Sequence, residues 1–356
     1  MRPAGDKLPR HFFHTDSLLV THLPNVRYLT GFTGSSGCAL ITPRQKLFFT
    51  DFRYRQQACL EVKGFGVRIT PGAALEGACR YATGRGLRLG VLGYDGAHLR
   101  HGEYLLLRRL LRGVKMKNAA GAVEEMRMVK QKSEIRRVGE ACRLVDDAYR
   151  RLARSRVVGR PEKEVAWMLE KWLREAGSGP LPFGIIVASG PRAAMPHGAA
   201  GDRVIRKGEV VVVDMGASVD GYASDATRTF ATGRLPRRLS QIYGLVREAQ
   251  ESAVAGCLAG AAGAAVDALA RDHIAAAGHG DEFGHALGHG VGLEAHESPV
   301  LSKRSHDKLK AGMVITIEPG VYVEGLGGVR IEDTVLVTAR GPERLTGFSR
   351  KIEYLK

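Results

Sequence analysis

Residues 208–229 read GEVVVVDMGASVDGYASDATRT. The valines at 210–213 describe a strand buried on both faces, where the usual alternation with polar residues is lost. The run nevertheless closes on Asp214, and Asp225 follows eleven residues later. Between them, Asp220-Gly221 is a dipeptide favoured by two-residue hairpin turns. Folding the segment about that turn sets residue 214 opposite 227 and 216 opposite 225. Side chains alternate with period two along a strand, so Asp214 and Asp225 fall on one face, one diagonal step apart.

The segment has a near-copy. RKGEVVVVDMGASVDG (206–221) aligns without gaps with KAGMVITIEPGVYVEG (310–325) at a constant offset of 104. Gly208, Val210, Gly216, Val219 and Gly221 recur as Gly312, Val314, Gly320, Val323 and Gly325, while Asp214 falls on Glu318 and Asp220 on Glu324. A carboxylate closes the apolar strand in both copies, and shared turn glycines make duplication the better reading than coincidence. Beyond the looser loop EGLGG, the stretch VRIEDTVLV supplies Glu332, which an odd-length loop places on the same face as Glu318. Asp220 and Glu324 precede turn glycines and read as turn residues. Asp333 reads as a partner for a neighbouring base.

Asp214, Asp225, Glu318 and Glu332 remain. They interrupt or close apolar strands, where an unpaired carboxylate is costly to bury. Four converging carboxylates repel one another and raise one another's pKa values unless cations sit among them. The stretch EFGHALGHGVGLEAHESP adds His285, His289 and His296, and PRAAMPHG adds His197. His285 and His289 are four apart, as in a helical zinc motif. Gly284, Gly288, Gly290 and Gly292 argue against a helix there and for backbone packed closely against a site. Four carboxylates with an imidazole form a hard ligand set suited to Mn²⁺, Co²⁺, Fe²⁺ or Zn²⁺. Four negative charges balance two divalent cations, the arrangement of metal-assisted hydrolysis.

Around this site the chain reads as two domains with a boundary near residue 118, the first being 1–117 and the second 118–356. Residues 17–117 alternate strand signals (SLLVTH, GCALITP, KLFFTD, GVRIT, RLGVLGYD) with helix signals (YRQQACLEV, LEGACRYATG, EYLLLRRLLRG), the pattern of an α/β layer domain. The second domain runs helices, strands, helices, strands. In SEIRRVGEACRLVDDAYRRL, Ile135, Val138, Cys142, Val145, Tyr149 and Leu152 form an amphipathic stripe, with Ser133 as the expected N-cap. PEKEVAWMLEKWLREAG is a second helix, and two more helical runs occupy about 237–277.

Of the 356 residues, 53 are Lys or Arg and 37 are Asp or Glu, for a formal net charge of +16. The basic residues are interleaved with apolar ones at helical spacing, without a long basic run or an aromatic platform, so no nucleic-acid partner is expected. No uninterrupted apolar stretch reaches about 18 residues, which excludes a membrane-spanning helix. The first twenty residues contain no apolar run of signal-peptide length. Five scattered cysteines, never in C-x-x-C spacing, fit a reducing cytoplasm rather than a disulfide framework.

VDMGASVDGYASDATRT, HALGHGVGLEAHESP, ITIEPGVYV and GGVRIEDTVLV resemble the metal-binding signatures of the pita-bread metallopeptidases, a group that includes Xaa-Pro aminopeptidase, prolidase, methionine aminopeptidase and creatinase. NVRYLTGFTGSSG and LFFTDFRYRQQA are similar to the accessory domain of the Xaa-Pro peptidases and creatinase. The resemblance implies an α+β fold, with a C-terminal pita-bread domain of internal pseudo-twofold symmetry after a smaller creatinase-like α/β domain. It implies two divalent metal ions, manganese first among them, on Asp214, Asp225, His289, Glu318 and Glu332, with Asp225 and Glu332 bridging. It makes Glu318 the proton shuttle for hydroxide attack on an Xaa-Pro bond, and His197, His285 and His296 the residues that contact substrate. Arg330, two residues before Glu332, is expected to order the shell by pairing with a carboxylate. The substrates implied are small peptides with proline second, and the assembly implied is a homodimer. The short chain, TGFTGSSG and TDFRYRQQA favour an aminopeptidase, with the Xaa-Pro dipeptidase as the alternative. A metal-free or basic binding protein on the same fold is the alternative from a different class.

Overall fold

Strand and helix alternate from residue 17 onward in the order that the apolar runs predict. A computed structural model describes residues 15–356. The absence of a signal segment was read largely from residues 1–14, which lie outside the described residues. The first unit comprises β1 (Ser17–Val20), α1 (Leu23–Thr30), β2 (Cys38–Ile41), β3 (Lys46–Asp51), α2 (Arg55–Glu61), β4 (Gly66–Thr70), α3 (Ala74–Gly84), β5 (Val91–Tyr94), α4 (His101–Leu110), β6 (Lys115–Asn118) and α5 (Glu124–Met128). Its strands make one sheet in the order β4-β3-β2-β1-β5-β6. β1 is antiparallel to β2 but parallel to β5, and β5 is parallel to β6. Leu19, Leu40, Phe49 and Leu92 pack against Leu75, Cys79 and Leu107 from α3 and α4. Three elements are absent from the sequence reading, the five-residue α5 among them. α1 has only eight residues, and β6 reads KMKN with no apolar run.

The chain divides into two compact units, Met1–Arg127 and Met128–Lys356. Residues 118–127, read from sequence as the start of the second domain, therefore belong with the first. The reason is a set of long-range polar contacts. Asn25 Nδ2 donates to Glu124 Oε1 at 2.6 Å, Arg127 Nη1 donates to Asn25 Oδ1 at 2.7 Å, and the Tyr28 hydroxyl donates to the Met126 carbonyl at 3.1 Å.

The second unit opens with α6 (Lys132–Ala153) and α7 (Glu162–Glu175), followed by β7 (Ile186–Ser189), β8 (Val210–Met215), β9 (Ser218–Val219), β10 (Tyr222–Ala223) and β11 (Ala226–Ala231). It continues with α8 (Arg237–Ala255), α9 (Gly263–Ala276), β12 (Gly288–Gly290), β13 (Glu297–Leu301), β14 (Val314–Ile317), β15 (Gly320–Val323), β16 (Gly327–Arg330), β17 (Asp333–Thr338) and β18 (Gly341–Arg344). α6 starts earlier than Ser133. Gln131 is its N-cap residue, and its N–H donates to Glu134 Oε2 at 2.8 Å, the reach-back half of a capping box. The expected stripe is buried from Val138 to Leu152.

Both hairpins form. β8 and β11 pair Asp214 with Thr227, and β9 and β10 pair Val219 with Tyr222. Asp220 and Gly221 take φ values of 47° and 73°, the doubly positive backbone of a tight hairpin turn. In the second copy, Ile317 pairs with Asp333 and Gly320 with Arg330, so the same register sets Glu318 opposite Glu332. Tyr149 and Leu169 from α6 and α7 pack on Val213 and Phe230. Val246 and Val266 from α8 and α9 pack on Ile315 and Val335. Each half is thus a helix pair against a hairpin, the pseudo-twofold repeat of the pita-bread fold. The two return strands meet edge to edge, where Glu332 N–H donates to the Thr227 carbonyl at 3.0 Å and Thr334 Oγ1 to the Asp225 carbonyl at 2.7 Å.

Candidate metal centre

Hairpin register delivers the carboxylates and strand alternation aims them. Arg228 and Asp333, neighbours of Thr227 and Glu332, point to the opposite face and pair there at 2.7 Å, fully buried. Glu332 therefore turns toward Asp214 and Asp225. Ligand atoms come within 4.8 Å of one another in three overlapping groups: Asp214, Asp225 and Glu332; His289, Glu318 and Glu332; and Asp225, His289 and His296.

β12 carries His289 as a strand rather than a helix. A Cβ at Gly288 would strike the Thr316 carbonyl oxygen, and one at Gly290 the Ser298 carbonyl. The glycines let this strand close on its neighbours, which brings the imidazole to the carboxylates. His289 Nδ1 lies 3.0 Å from the Gly290 carbonyl, so that nitrogen carries the proton and Nε2 faces the acids. Nε2 is 3.3 Å from Glu318 Oε1 and 3.8 Å from Asp225 Oδ2. The buried pair Lys130–Glu297, at 2.6 Å, anchors β13 beside His296, and the His289 and His296 rings lie 4.2 Å apart.

The electrostatics are those of an acid-rich, largely buried site. Burial, then the charges of Glu332 and Asp214, hold the Asp225 carboxyl well above the usual carboxylate range. Burial, then Glu318 and Asp214, do the same to Glu332. Burial also raises Asp214, with Arg330 opposing. Burial pushes Glu318 up, but its bond to His289 and that ring's charge outweigh it, and the carboxyl lies below its ordinary value. His289 correspondingly sits above its own, because burial is outweighed by Glu318. Asp214 Oδ1 is buried without a hydrogen-bond partner. An orphaned carboxylate oxygen, two acids whose proton affinity is raised by burial and by neighbouring carboxylates, and an imidazole nitrogen facing them together fit divalent cations, which restore the missing positive charge.

Arg330 pairs with Asp214 Oδ2 at 2.8 Å, as its position beside Glu332 suggests, and is itself 3% exposed. Its other nitrogens donate to Thr227 Oγ1 at 2.9 Å, the Pro196 carbonyl at 3.0 Å and the Tyr322 hydroxyl at 2.9 Å. Tyr322 and Thr227 are neighbours of the carboxylate cluster that sequence reasoning missed. Thr227 donates to Glu332 Oε2 at 2.7 Å. A signal for both exists: Thr227 is the cross-strand partner of Asp214, and Tyr322 shares Glu318's parity along its strand.

The remaining histidines separate. His285 offers no atom to the ligand groups. Its Nδ1 faces the Ala286 carbonyl at 2.8 Å and its Nε2 lies 3.0 Å from the Tyr322 hydroxyl, and burial lowers its pKa. His296 is exposed, its pKa lowered by burial and then by His289 and His197. His197 is exposed on the loop after β7. Beside His285 a cavity of about 380 Å³ is lined by Arg271, Lys303 and Arg304.

Residues 136–339 match metallopeptidase family M24, and residues 14–129 match the creatinase/prolidase N-terminal domain. A protein named Xaa-Pro dipeptidase from Pyrococcus horikoshii is 36% identical over 95% of this chain and 94% of its own length. Among solved structures, an Xaa-Pro dipeptidase from Bacillus anthracis superposes with a TM-score of 0.91 at 38% identity, covering 99% of this chain and 97% of that one. An X-Pro aminopeptidase from Thermotoga maritima superposes with a TM-score of 0.88 at 33% identity, covering 97% and 98%.

Proposed function

The chain belongs to metallopeptidase family M24, and from that membership we propose that it is a metal-dependent Xaa-Pro peptidase acting on Xaa-Pro dipeptides. The observation that carries the reading is the convergence of Asp214, Asp225, His289, Glu318 and Glu332 in ligand groups that share Asp225, His289 and Glu332. Sharing of that kind suits two adjacent cations, which Asp214, Asp225, His289, Glu318 and Glu332 would hold between them. Manganese is the species expected from the donor set. Two divalent ions supply a strong nucleophile from water at neutral pH and polarise the scissile carbonyl.

The chain's own residues do the rest. Glu318, the most exposed of the four acids and the one whose pKa is lowered, accepts the proton of the attacking water and returns it to the departing prolyl nitrogen. Arg330 holds Asp214 in place and is itself held by Tyr322 and Thr227. His296 and His197, on the exposed side, meet the peptide carbonyl. His285 orients Tyr322 rather than reaching the ligand cluster.

The sequence reading favours an aminopeptidase. Two observations favour the dipeptidase instead. Relatives bearing that name match nearly the whole chain, and the exposed side chains of Lys303 and Arg304, in a cavity beside His285 that Asp281 also lines, offer cations for a free prolyl carboxylate. The test is hydrolysis of Xaa-Pro and Xaa-Pro-Yaa side by side with Mn²⁺. A dipeptidase cleaves the first alone, and Arg304→Ala raises KM for it. Cleavage of the tripeptide alone restores the aminopeptidase, and cleavage of neither by protein carrying two metals rejects both. A homodimer is the expected assembly, which sedimentation checks.

A further inference from the structure

The first unit holds a second group of metal-ligating side chains, unconnected to the family's chemistry. His22, Asp95, His98 and Glu124 each bring one ligand atom to within 4.8 Å of all the others. They come from three places in the chain. His22 lies between β1 and α1, Asp95 directly follows β5, His98 is in the next turn, and Glu124 opens α5 beyond β6. β1, β5 and β6 are adjacent and parallel, so the group sits at the carboxyl ends of neighbouring strands, beside the place where the sheet changes from parallel to antiparallel pairing. Open α/β sheets bind their ligands there.

We propose that these four residues form a site for one Zn²⁺ ion. The donor chemistry fits, because two imidazoles and two carboxylates are borderline nitrogen and oxygen ligands that zinc takes in tetrahedral sets. The charge fits as well, since two neutral rings and two carboxylates balance one divalent cation. His98 Nδ1 is 2.6 Å from Asp95 Oδ2 and 3.8 Å from Glu124 Oε1. The two rings stack with centroids 3.6 Å apart and planes within 10°. The contact with Asp95 engages one ring only, whereas a metal engages both. Tetrahedral ligands at about 2 Å from zinc are about 3.3 Å apart, so closure asks for short side-chain movements and a tilt of the stacked rings.

An outer layer orients the donors. Asp95 Oδ1 accepts from the Ala97 N–H at 3.0 Å. Glu124 is held by Asn25, which is held in turn by Arg127. Supporting bonds of this kind are what tune real sites. A cavity of about 560 Å³ bordered by His22 and His98 provides the entry path.

The test uses the full chain with Asp225→Asn and Glu332→Gln, which disables the carboxylate centre and makes the result independent of peptidase activity. After equilibrium dialysis against Zn²⁺, this background is expected to retain one equivalent more than the same protein carrying His98→Ala. Glu124→Gln, which preserves shape, is expected to weaken retention at least tenfold. With Co²⁺ in place of zinc, the intense visible absorption of a tetrahedral ion is expected in the background and lost with His98→Ala, while circular dichroism stays unchanged. Equal metal retention with and without His98, or no tetrahedral cobalt signal in the background, overturns the proposal.

Discussion

Glu332 shows how much of this site rests on single side chains. Its carboxylate is shared between two ligand groups, and Glu332→Ala is expected to abolish hydrolysis through loss of bound metal, as is Asp225→Ala; metal analysis beside an activity assay checks both. Tyr322→Phe is a gentler probe. It removes the hydroxyl that joins His285 to Arg330, and kcat is expected to fall about 10- to 100-fold, the usual cost of losing an outer-shell partner, with metal content unchanged. The raised carboxyl groups also set a pH dependence for metal-free protein. Asp225 and Glu332 bind protons more tightly folded than unfolded. The stability they contribute is full below about pH 4, the ordinary carboxylate range, and is lost as pH rises toward their folded values. Protein stripped with a chelator should therefore melt at lower temperature at pH 7 than at pH 5, and added Mn²⁺ should remove the difference. A chelated protein with a higher melting temperature at pH 7 would contradict the raised values.

At the scale of elements, the return strands are locked by Asp333. From its buried position it pairs with Arg228 of β11, accepts from Gln250 of α8 at 3.0 Å and from Thr346 at 2.8 Å, and meets Arg344 of β18 at 3.1 Å. The sequence reading saw one basic partner where the fold supplies an interlock of two strands and a helix. Asp333→Ala leaves Arg228 buried without its carboxylate and is expected to cost about 3 to 5 kcal/mol, measured by denaturant unfolding. The loop bearing His197 depends on a similar hub: buried Glu162 at the start of α7 accepts from the Ser189 N–H and hydroxyl at 2.8 and 2.7 Å and pairs with Arg192. Neither hub follows from local pattern, because each joins residues far apart in the chain. The hairpins were legible, since valine runs, turn glycines and period-two alternation act within about twenty residues.

For the whole molecule, the formal net charge is +16. If Lys303 and Arg304 hold a free prolyl carboxylate, KM for Xaa-Pro dipeptides rises with ionic strength, because exposed charges are screened over about 10 Å at 0.1 M salt; an unchanged KM between low and high salt would count against that role. Among the described residues no helix is long and apolar enough to cross a membrane, and the five cysteines are free thiols.

Sequence alone marked out four acids and the strands that carry them. A carboxylate that closes an apolar run is expensive enough to announce a site, and a repeat at constant offset announces that there are two halves. Register then follows from turn chemistry. Tertiary structure decided what no local rule carries: that His289 rather than His285 reaches the acids, because β12 closes on its neighbours where Gly288 and Gly290 leave room, and that Arg330, Thr227 and Tyr322 form one bonded chain beside the carboxylates. Those outcomes depend on which strands lie side by side, and adjacency between distant segments is set by the packing of the two halves rather than by any segment's own pattern.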